Sequence, residues 1–369
     1  MGGFTATSSF LIPGIAHEIG HQFNAPHSFN GTQGNCGGSN RNSSAAYESG
    51  SGITIMSYAG NCGADNLISN TSTDVRFHSK SLEAMLDFMN TTATCNTATA
   101  TGNTPPTVNA GAGFTIPKNT PFTLTATAND PDAADAGHLT YSWEQIDTGG
   151  IAYFQNGTAA SYNDAADSAA TTRPIFRPFP PNTSLARTFP SLTYILNNAN
   201  DPPQCDDRFP LTCYETAEEL PRIGRNVNFS FTARDNRATG GGVSEAVTFV
   251  IVDGNSGPFA VTSPNGANNI TGGVPTTVTW SVAGTNGAPV NTTNVKISLS
   301  TDGGNTFPSV LAASTPNDGT ELLVFPNGLL STQARIKIEA VGNIFFDISD
   351  ANFNLTPGDG CPAVNSISP

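Results

Sequence analysis

The chain has few charged residues, and basic ones are especially scarce. Charged side chains make up 12% of the 369 residues, with 15 Lys and Arg against 29 Asp and Glu, so the formal net charge is −14. Binding to a phosphate backbone needs clustered basic residues, so this composition argues against a nucleic-acid partner. It argues equally against attraction to an anionic membrane surface. No apolar run approaches the roughly 20 residues of a transmembrane helix, so no membrane-spanning segment is predicted.

Cysteine is also scarce, and no two cysteines have the Cys-x-x-Cys spacing of a zinc ribbon. The six cysteines are Cys36, Cys62, Cys95, Cys205, Cys213 and Cys361. Disulfides formed in an oxidising compartment explain them better. We predict the pairs Cys36–Cys62 and Cys205–Cys213, and the sequence assigns no partner to Cys95 or Cys361. Because no Gly-x-Ser-x-Gly elbow occurs, a serine nucleophile is not indicated.

Only five histidines are present, yet three of them fall within the run His17-Glu18-Ile19-Gly20-His21-Gln22-Phe23-Asn24-Ala25-Pro26-His27. Positions i and i+4 share one face of a helix, so His17 and His21 can present two imidazoles to one ion. The helix should end at Asn24-Ala25-Pro26, which lets His27 close the site from the other side. Zinc accepts three imidazoles and keeps a fourth position for water. We therefore predict a Zn²⁺ site at these histidines, with Glu18 beside it as the general base.

A second motif lies downstream, in Ser51-Gly52-Ile53-Thr54-Ile55-Met56-Ser57-Tyr58-Ala59-Gly60. An extended zinc motif followed by a Met in a tight turn is the metzincin pattern. The chain resembles metzincin metalloendopeptidases, most closely the reprolysin-like zinc proteases of secreted bacterial multidomain proteins. The resemblance implies that His17, His21 and His27 bind zinc and that Glu18 is the general base. It also implies that Met56 forms the hydrophobic floor under the metal.

Two positions differ from the simplest form of that pattern. The family usually has Gly between the second and third His, and this chain has Asn24 there. Asn is the residue next most tolerant of a positive φ, so we expect the turn to be kept. Met56-Ser57-Tyr58 also resembles the turn of astacins and serralysins, in which the Tyr can be an additional zinc ligand. Tyr58 is therefore either a catalytic residue beside the zinc or an ordinary core tyrosine.

The zinc motif begins unusually early, because a metzincin domain normally places a twisted sheet and a helix before it. We therefore interpret residues 1–96 as the C-terminal half of a metzincin protease domain, and expect the N-terminal half and a signal sequence to have been lost. Apolar residues at i, i+3, i+4 and i+7 predict its closing helix over 81–89. His78, just before that helix, is predicted to be a surface or capping residue and not a ligand. Residues 97–106 have the composition of a linker.

After the linker, the pattern changes to alternating strands with turn signals between them, which is typical of immunoglobulin-like sandwiches. Residues 107–254 resemble a PKD- or cadherin-like module with Trp143 in its core and a long insertion at about 147–222. A second sandwich is predicted over 257–356, followed by a linker or tail at 357–369. The predicted fold is thus an α+β remnant of a metzincin catalytic domain, containing the active-site helix, followed by two all-β immunoglobulin-like sandwiches.

Two further motifs lie in the β region. Asp130, Asp132 and Asp135 follow a strand and form either a Ca²⁺-binding loop or an ordinary Asp-Pro turn. The segment Ser300-Thr301-Asp302-Gly303-Gly304-Asn305-Thr306-Phe307 resembles the Asp-box, a hairpin turn motif. We predict that it stabilises the turn and has no catalytic role.

Two functions remain open from the sequence. The first is a secreted or cell-surface zinc endopeptidase that acts on protein or peptide substrates and carries accessory sandwiches. It is favoured by the three histidines with Glu18 and Met56. The second is a non-catalytic extracellular adhesion or binding protein with a degenerate protease remnant, favoured by the expected loss of the N-terminal half. By family resemblance we predict the endopeptidase, and for the 369 residues on their own we predict the non-catalytic protein. We predict no oligomeric state.

Overall fold

The computed structural model of the protein describes residues 11–67, 74–95, 97, 99–132, 135, 137–149, 171–199, 217–238 and 240–358. The chain divides into two compact units. The first comprises Met1–Phe114, Thr123–Phe189 and Asp201–Val252, and the second comprises Thr115–Phe122, Pro190–Asn200 and Asp253–Pro369. The predicted Cys205–Cys213 pair and Cys361 lie outside the described residues.

A small helical region opens the first unit. Its helices are α1 (Leu11–Gln22) and α2 (Ser79–Thr91), and its short 3₁₀ turns are Gly34–Cys36, Gly38–Asn40 and Gly63–Asp65. Helix α2 contains the helix predicted over 81–89. The disulfide predicted between Cys36 and Cys62 is confirmed, with the two Cα atoms 5.0 Å apart, and Cys95 is an exposed free thiol.

His78 caps helix α2. Its Nδ1 accepts a hydrogen bond from the backbone N–H of Lys80 at 3.2 Å, which satisfies one of the donors that a helix start leaves unpaired. The capping prediction is therefore confirmed. The surface alternative is wrong, because the imidazole is only 1% exposed and stacks on the ring of Tyr47.

The other described elements of the first unit are strands. Its strands are β1 (Thr107–Asn109), β3 (Phe122–Thr125), β4 (Thr127–Asn129), β5 (Thr140–Gln145), β6 (Ala186–Phe189), β7 (Arg225–Arg234) and β8 (Val243–Asp253). Strand β7 lies between β5 and β8 in an antiparallel sheet, β1 pairs with β4, and β3 with β6. The chain passes from the first unit to the second within β2 (Phe114–Pro117). Trp143 occupies the core as predicted, 2% exposed, with its ring 5.0 Å from that of Phe231.

One alternating run of the sequence forms two strands. Hydrophobic and polar residues alternate over 122–128, but β3 ends at Thr125 and β4 begins at Thr127. The N–H of Ala126 donates to the carbonyl of Leu185 instead. The chain therefore changes partners at this residue, and hydrophobic alternation does not reveal such a change.

The described part of the second unit contains two sheets and one short helix. Its elements are α3 (Leu192–Leu196), β9 (Ala260–Ser263), β10 (Asn269–Thr271), β11 (Pro275–Ser281), β12 (Asn294–Ser300), β13 (Ser309–Pro316), β14 (Thr320–Val324), β15 (Ser331–Ala340), β16 (Phe346–Ile348) and β17 (Phe353–Thr356). One sheet has the order β10-β17-β15-β12-β13, with β16 also paired to β15, and the other has the order β14-β11-β9. Trp280 is 4% exposed, and its indole N–H donates to Asn317 Oδ1 at 2.8 Å.

The predicted order of elements is confirmed: within the described residues, a small helical N-terminal region is followed by mostly β-sheet structure. Within the described ranges, no helix is both long and apolar enough to cross a bilayer. The five-segment division made from the sequence stays a prediction.

Candidate metal centre

The three predicted zinc ligands converge on one point. Helix α1 carries His17 and His21 one turn apart, with their Nε2 atoms 3.1 Å from each other. The Nε2 atom of His27 lies 3.2 Å from both. All three imidazoles are half-buried, and together they form one of the two groups of potential metal ligands among the described residues.

Each imidazole is oriented by a backbone carbonyl. The Nδ1–H of His17 donates to Ile55 O at 2.6 Å, that of His21 to Ala25 O at 2.8 Å, and that of His27 to Asn40 O at 2.6 Å. A carbonyl can only accept, so each proton sits on Nδ1 and each Nε2 presents a lone pair. Metal-binding histidines use this second hydrogen bond to fix tautomer and ring angle.

The donor set fits zinc. Zn–N bonds of about 2.0–2.1 Å at tetrahedral angles place two ligand nitrogens roughly 3.3–3.4 Å apart, close to the 3.1–3.2 Å observed. Burial lowers the pKa of His17 and His27 below the usual value, so both imidazoles are neutral at pH 7. Three Nε2 atoms that face one another at these distances are best accommodated by a cation between them.

The end of α1 brings His27 back to the helix. Asn24 has a φ of 65°, the left-handed conformation expected where the family usually has Gly. The N–H of Ala25 donates to Gly20 O at 3.0 Å and closes the helix. The chain then reverses, and its third imidazole meets the two on the helix.

Met56 packs against helix α1, which carries two of the histidines. It is 0% exposed and packs with Ala25 and Ile55, and the partly buried Ala16, Phe77 and Met85 surround that cluster. The N–H of Ser57 donates to Thr54 O at 3.0 Å, so the methionine stands in a tight turn, as the resemblance implies. Its backbone carbonyl accepts from the N–H of Ser28 at 3.0 Å.

Glu18 lies at the mouth of the site. Its side chain is exposed and lines a cleft of about 360 Å³ together with His17, Tyr58, Asn35 and Asn61. The Cys36–Cys62 disulfide and a hydrogen bond of 2.9 Å from Asn35 N–H to Asn61 O connect the two asparagine-bearing segments. The predicted base thus borders a space that can hold part of an extended peptide.

Tyr58 packs on the histidine cluster. Its ring lies 4.5 Å from that of His27, 5.7 Å from that of His17 and 4.8 Å from that of Phe29, measured between centroids. Burial raises the pKa of its hydroxyl, and the nearby Glu18 adds to this. The tyrosine is therefore neutral at pH 7 and touches the imidazole cluster.

Glu48 is a site residue that the sequence did not reveal. It is 0% exposed and accepts hydrogen bonds from Ser28 Oγ at 2.6 Å and from the Ile53 and Thr54 N–H groups at 2.8 and 3.1 Å. It therefore fixes the start of the loop that carries Met56. No pattern in a single sequence distinguishes such a glutamate from a surface one.

The acidic triplet in the β region forms the second potential metal group. Asp130 and Asp135 are buried, and Oδ2 of Asp130 has no hydrogen-bond partner among the described residues. Nη1 of Arg237 lies 3.4 Å from Oδ2 of both Asp132 and Asp135 and offsets part of their charge. The Asp-Pro turn alternative is also visible, because the N–H of Asp132 donates to Oδ1 of Asp130 at 2.8 Å.

Comparison with known proteins gives one family match. The model of metallo-peptidase family M12B, reprolysin-like, matches residues 1–90. No curated protein matches the chain in sequence.

Several solved structures match part of this chain. They include SGBP-B of the Bacteroides ovatus mixed-linkage glucan utilization locus (9% identity, TM-score 0.18, covering 69% of this chain and 48% of that one). Domains EC1-3 of Drosophila N-cadherin match with 9% identity and a TM-score of 0.20, covering 70% of this chain and 68% of that one. Domains FN1-FN3 of chicken CNTN1 match with 10% identity and a TM-score of 0.23, covering 68% of this chain and 64% of that one. The chain spans about half the length of the Bacteroides protein, and at these scores no functional argument follows. Residues 1–90, which contain the histidine cluster, are similar to reprolysin-like metallopeptidases of family M12B.

Proposed function

We propose that the protein is a zinc-dependent endopeptidase. The observation that carries the proposal is the triangle of Nε2 atoms, 3.1–3.2 Å on each side, in which every Nδ1–H is bound to a backbone carbonyl. The family match over residues 1–90 supports the same class of chemistry. His17, His21 and His27 would hold the ion, with Met56 packed below them.

The chain's own residues supply the proton transfers. A zinc ion bound there would bring the pKa of a coordinated water to about 7 and polarise the peptide carbonyl. Glu18, exposed beside the ligands, accepts the proton of the attacking water and passes it to the leaving amine. Tyr58 is a neutral hydroxyl against the ligand rings and is proposed as a second polar group for the substrate carbonyl.

The substrate is proposed to be an extracellular protein or peptide in an extended conformation. The open cleft beside Glu18 and the disulfide in its wall support this, because disulfides persist in oxidising compartments. Asp130, Asp132 and Asp135 are further proposed to bind Ca²⁺, on the evidence of the unpartnered, buried Oδ2 of Asp130.

The first experiment is elemental analysis of the purified chain combined with cleavage of an unstructured protein such as casein. We expect about one zinc per chain in the wild type and in Glu18→Ala, and none in His21→Ala. Cleavage should be lost in both variants. His138→Ala removes an exposed histidine outside the cluster and serves as the matched control.

The outcomes separate the two functions. Zinc bound without cleavage of any substrate would support the non-catalytic alternative, with the metal as a structural element. A folded wild-type chain that binds no zinc would overturn the proposal.

A further inference from the structure

Strand β5 carries a carboxylate that the proposed chemistry does not use. Glu144 is 0% exposed and accepts a hydrogen bond from the N–H of Ser79 at 2.7 Å and another from the guanidinium of Arg76. Burial raises the pKa of this carboxyl, but His78, Arg76, Arg234 and the Ser79 N–H outweigh it and lower the pKa to about 2. Glu144 is therefore ionised at physiological pH, and its bonds are charge-assisted ones in a low-dielectric interior.

The segment that Glu144 holds, residues 74–79, also binds the loop that carries Met56. The N–H of Asp74 donates to Ile53 O at 2.7 Å, and the N–H of Ile55 donates to Arg76 O at 2.9 Å. Phe77, in the same segment, packs against the Met56 cluster. Segment 74–79 thus contacts β5 at one side and the Met56 loop at the other.

Strand β7 holds the same segment from a second position. Arg234 donates from Nη2 to Phe77 O at 3.4 Å and from Nη1 to Ser142 Oγ of β5 at 3.0 Å. The attachment to the sheet therefore consists of several polar bonds around Glu144.

Ile55 connects this attachment to a metal ligand. Its N–H is bound by Arg76 O, and its carbonyl accepts the Nδ1–H of His17 at 2.6 Å. The two groups belong to rigid peptide planes that meet at one Cα, so a shift of the Arg76 backbone moves the acceptor that orients His17. Contacts run without interruption from Glu144 through Arg76 and Ile55 to the imidazole.

We infer that Glu144 is a positioning residue for the metal centre, so that the sheet containing β5 and β7 supports the zinc site. The inference rests on the proposed function. Removing the charge of Glu144 takes from the buried Arg76 its closer carboxylate and leaves it the contact with Asp74 at 3.4 Å, so segment 74–79 must then shift or take up water. We expect the His17 ring to be misoriented but still available to bind the ion.

The test is zinc affinity of the full-length chain, measured by competition with a chromogenic chelator, together with the visible d–d spectrum of the Co²⁺-substituted protein. We expect Glu144→Gln to bind zinc about tenfold more weakly and to give an altered Co²⁺ spectrum while remaining folded. Glu144→Asp keeps the charge and should lie between the variant and the wild type. The control is Asp235→Asn, a buried carboxylate of the same unit that binds Asn103, Arg237 and Gly242 instead.

Wild-type affinity and an unchanged Co²⁺ spectrum in Glu144→Gln would overturn the inference and leave the proposed function intact. If Glu144→Gln does not fold, Glu144→Asp decides on the same two readouts. If Asp235→Asn weakened zinc binding as much as Glu144→Gln does, the effect would be one of general stability, and this result would also overturn the inference. A folded wild-type chain without zinc would remove the proposed function itself.

Discussion

Gly20 of helix α1 lies against the sulfur of Met56 with no space between them for a side chain. A Cβ at Gly20 would overlap Sδ of Met56 and lie 3.1 Å from Cε1 of Phe77. Met56 is 0% exposed, so its side chain is enclosed by neighbouring residues. A side chain at this position of the zinc motif would therefore force Met56 to shift.

This contact predicts that Gly20→Ala is destabilising. Replacing a helical glycine with alanine normally gains about 0.5–1 kcal/mol, whereas overpacking a closed core costs about 1–3 kcal/mol. We expect the cost of overpacking to exceed the gain, and zinc affinity to fall with stability, because Met56 packs against the helix that carries His17 and His21. Thermal unfolding with and without zinc measures both effects. Gly266→Ala, where a Cβ would meet nothing within 4 Å, is the control; a Gly20→Ala chain as stable as the wild type contradicts the prediction.

The disulfide beside the cleft should contribute strongly to stability. Cys36 and Cys62 are 26 residues apart, and closing a loop of that size is worth about 3–4 kcal/mol in the chain-entropy description. We expect the double variant Cys36→Ser, Cys62→Ser to lose about that much in urea unfolding and to cleave peptides more slowly. Cys95→Ser, at the exposed free thiol, should change neither quantity. If Cys95→Ser changed stability and cleavage as much as the double variant does, the Cys36–Cys62 disulfide would not be the cause.

Acid should remove the stabilisation that Glu144 provides. Its folded pKa of about 2 lies below the unfolded value of 4.5, so the contribution is fully present above pH 4.5 and is lost as the pH falls through about 2. The unfolding free energies of the wild type and Glu144→Gln should differ by roughly 3 kcal/mol near neutrality and converge in that acid window. Urea unfolding at several pH values measures the convergence. Glu83→Gln, on the exposed side of α2, is the control variant. A difference between the wild type and Glu144→Gln that stays constant through the acid window would contradict the assignment.

The Asp-box turn of the second unit should depend on Asp302. Its carboxylate accepts from Ser300 Oγ at 2.6 Å and from the N–H and hydroxyl of Thr306 at 3.0 and 2.6 Å, and these bonds hold its pKa below the usual range. We expect Asp302→Asn to cost about 1 kcal/mol of unfolding free energy. The difference should disappear in acid, because the hydrogen bonds stabilise the ionised form of the Asp302 carboxylate. Asp318→Asn, a turn residue with a single bond to Thr320 N–H, should cost less. Unfolding followed by tryptophan fluorescence compares the two.

Calcium should stabilise the chain if Asp130, Asp132 and Asp135 bind it. An ion that binds only the folded state at a hundredfold excess over its Kd adds about 2.7 kcal/mol. We expect the Tm to be higher in calcium than in the calcium chelator EGTA, and Asp130→Asn to remove the difference. Magnesium at the same concentration is the ionic-strength control. Equal Tm values in calcium and EGTA would leave these residues as an Asp-Pro turn neutralised by Arg237.

The parts of the site that could be predicted from sequence are those set by local geometry. Helical spacing places His17 and His21 on one face, Asn24 allows the left-handed turn, and alternation marks strands such as β5. The supporting groups could not be predicted in this way. Backbone carbonyls such as that of Ile55 carry no residue signature, and the bond between Glu144 and Ser79 joins residues 65 apart in the chain. Such pairings depend on how the segments pack, which a single sequence does not show.

The attachment of segment 74–79 to strand β5 also affects where the chain can be cut into independent fragments and which substitutions can accumulate during evolution. A cut in the sequence-defined linker at 97–106 would separate the three histidines from Glu144 and Arg234. Recombination that transferred residues 1–96 alone would carry the motif but lose its support on the sheet. We therefore expect substitutions in β5 and in segment 74–79 to change together among relatives, with the sheet under the same selection as the metal ligands.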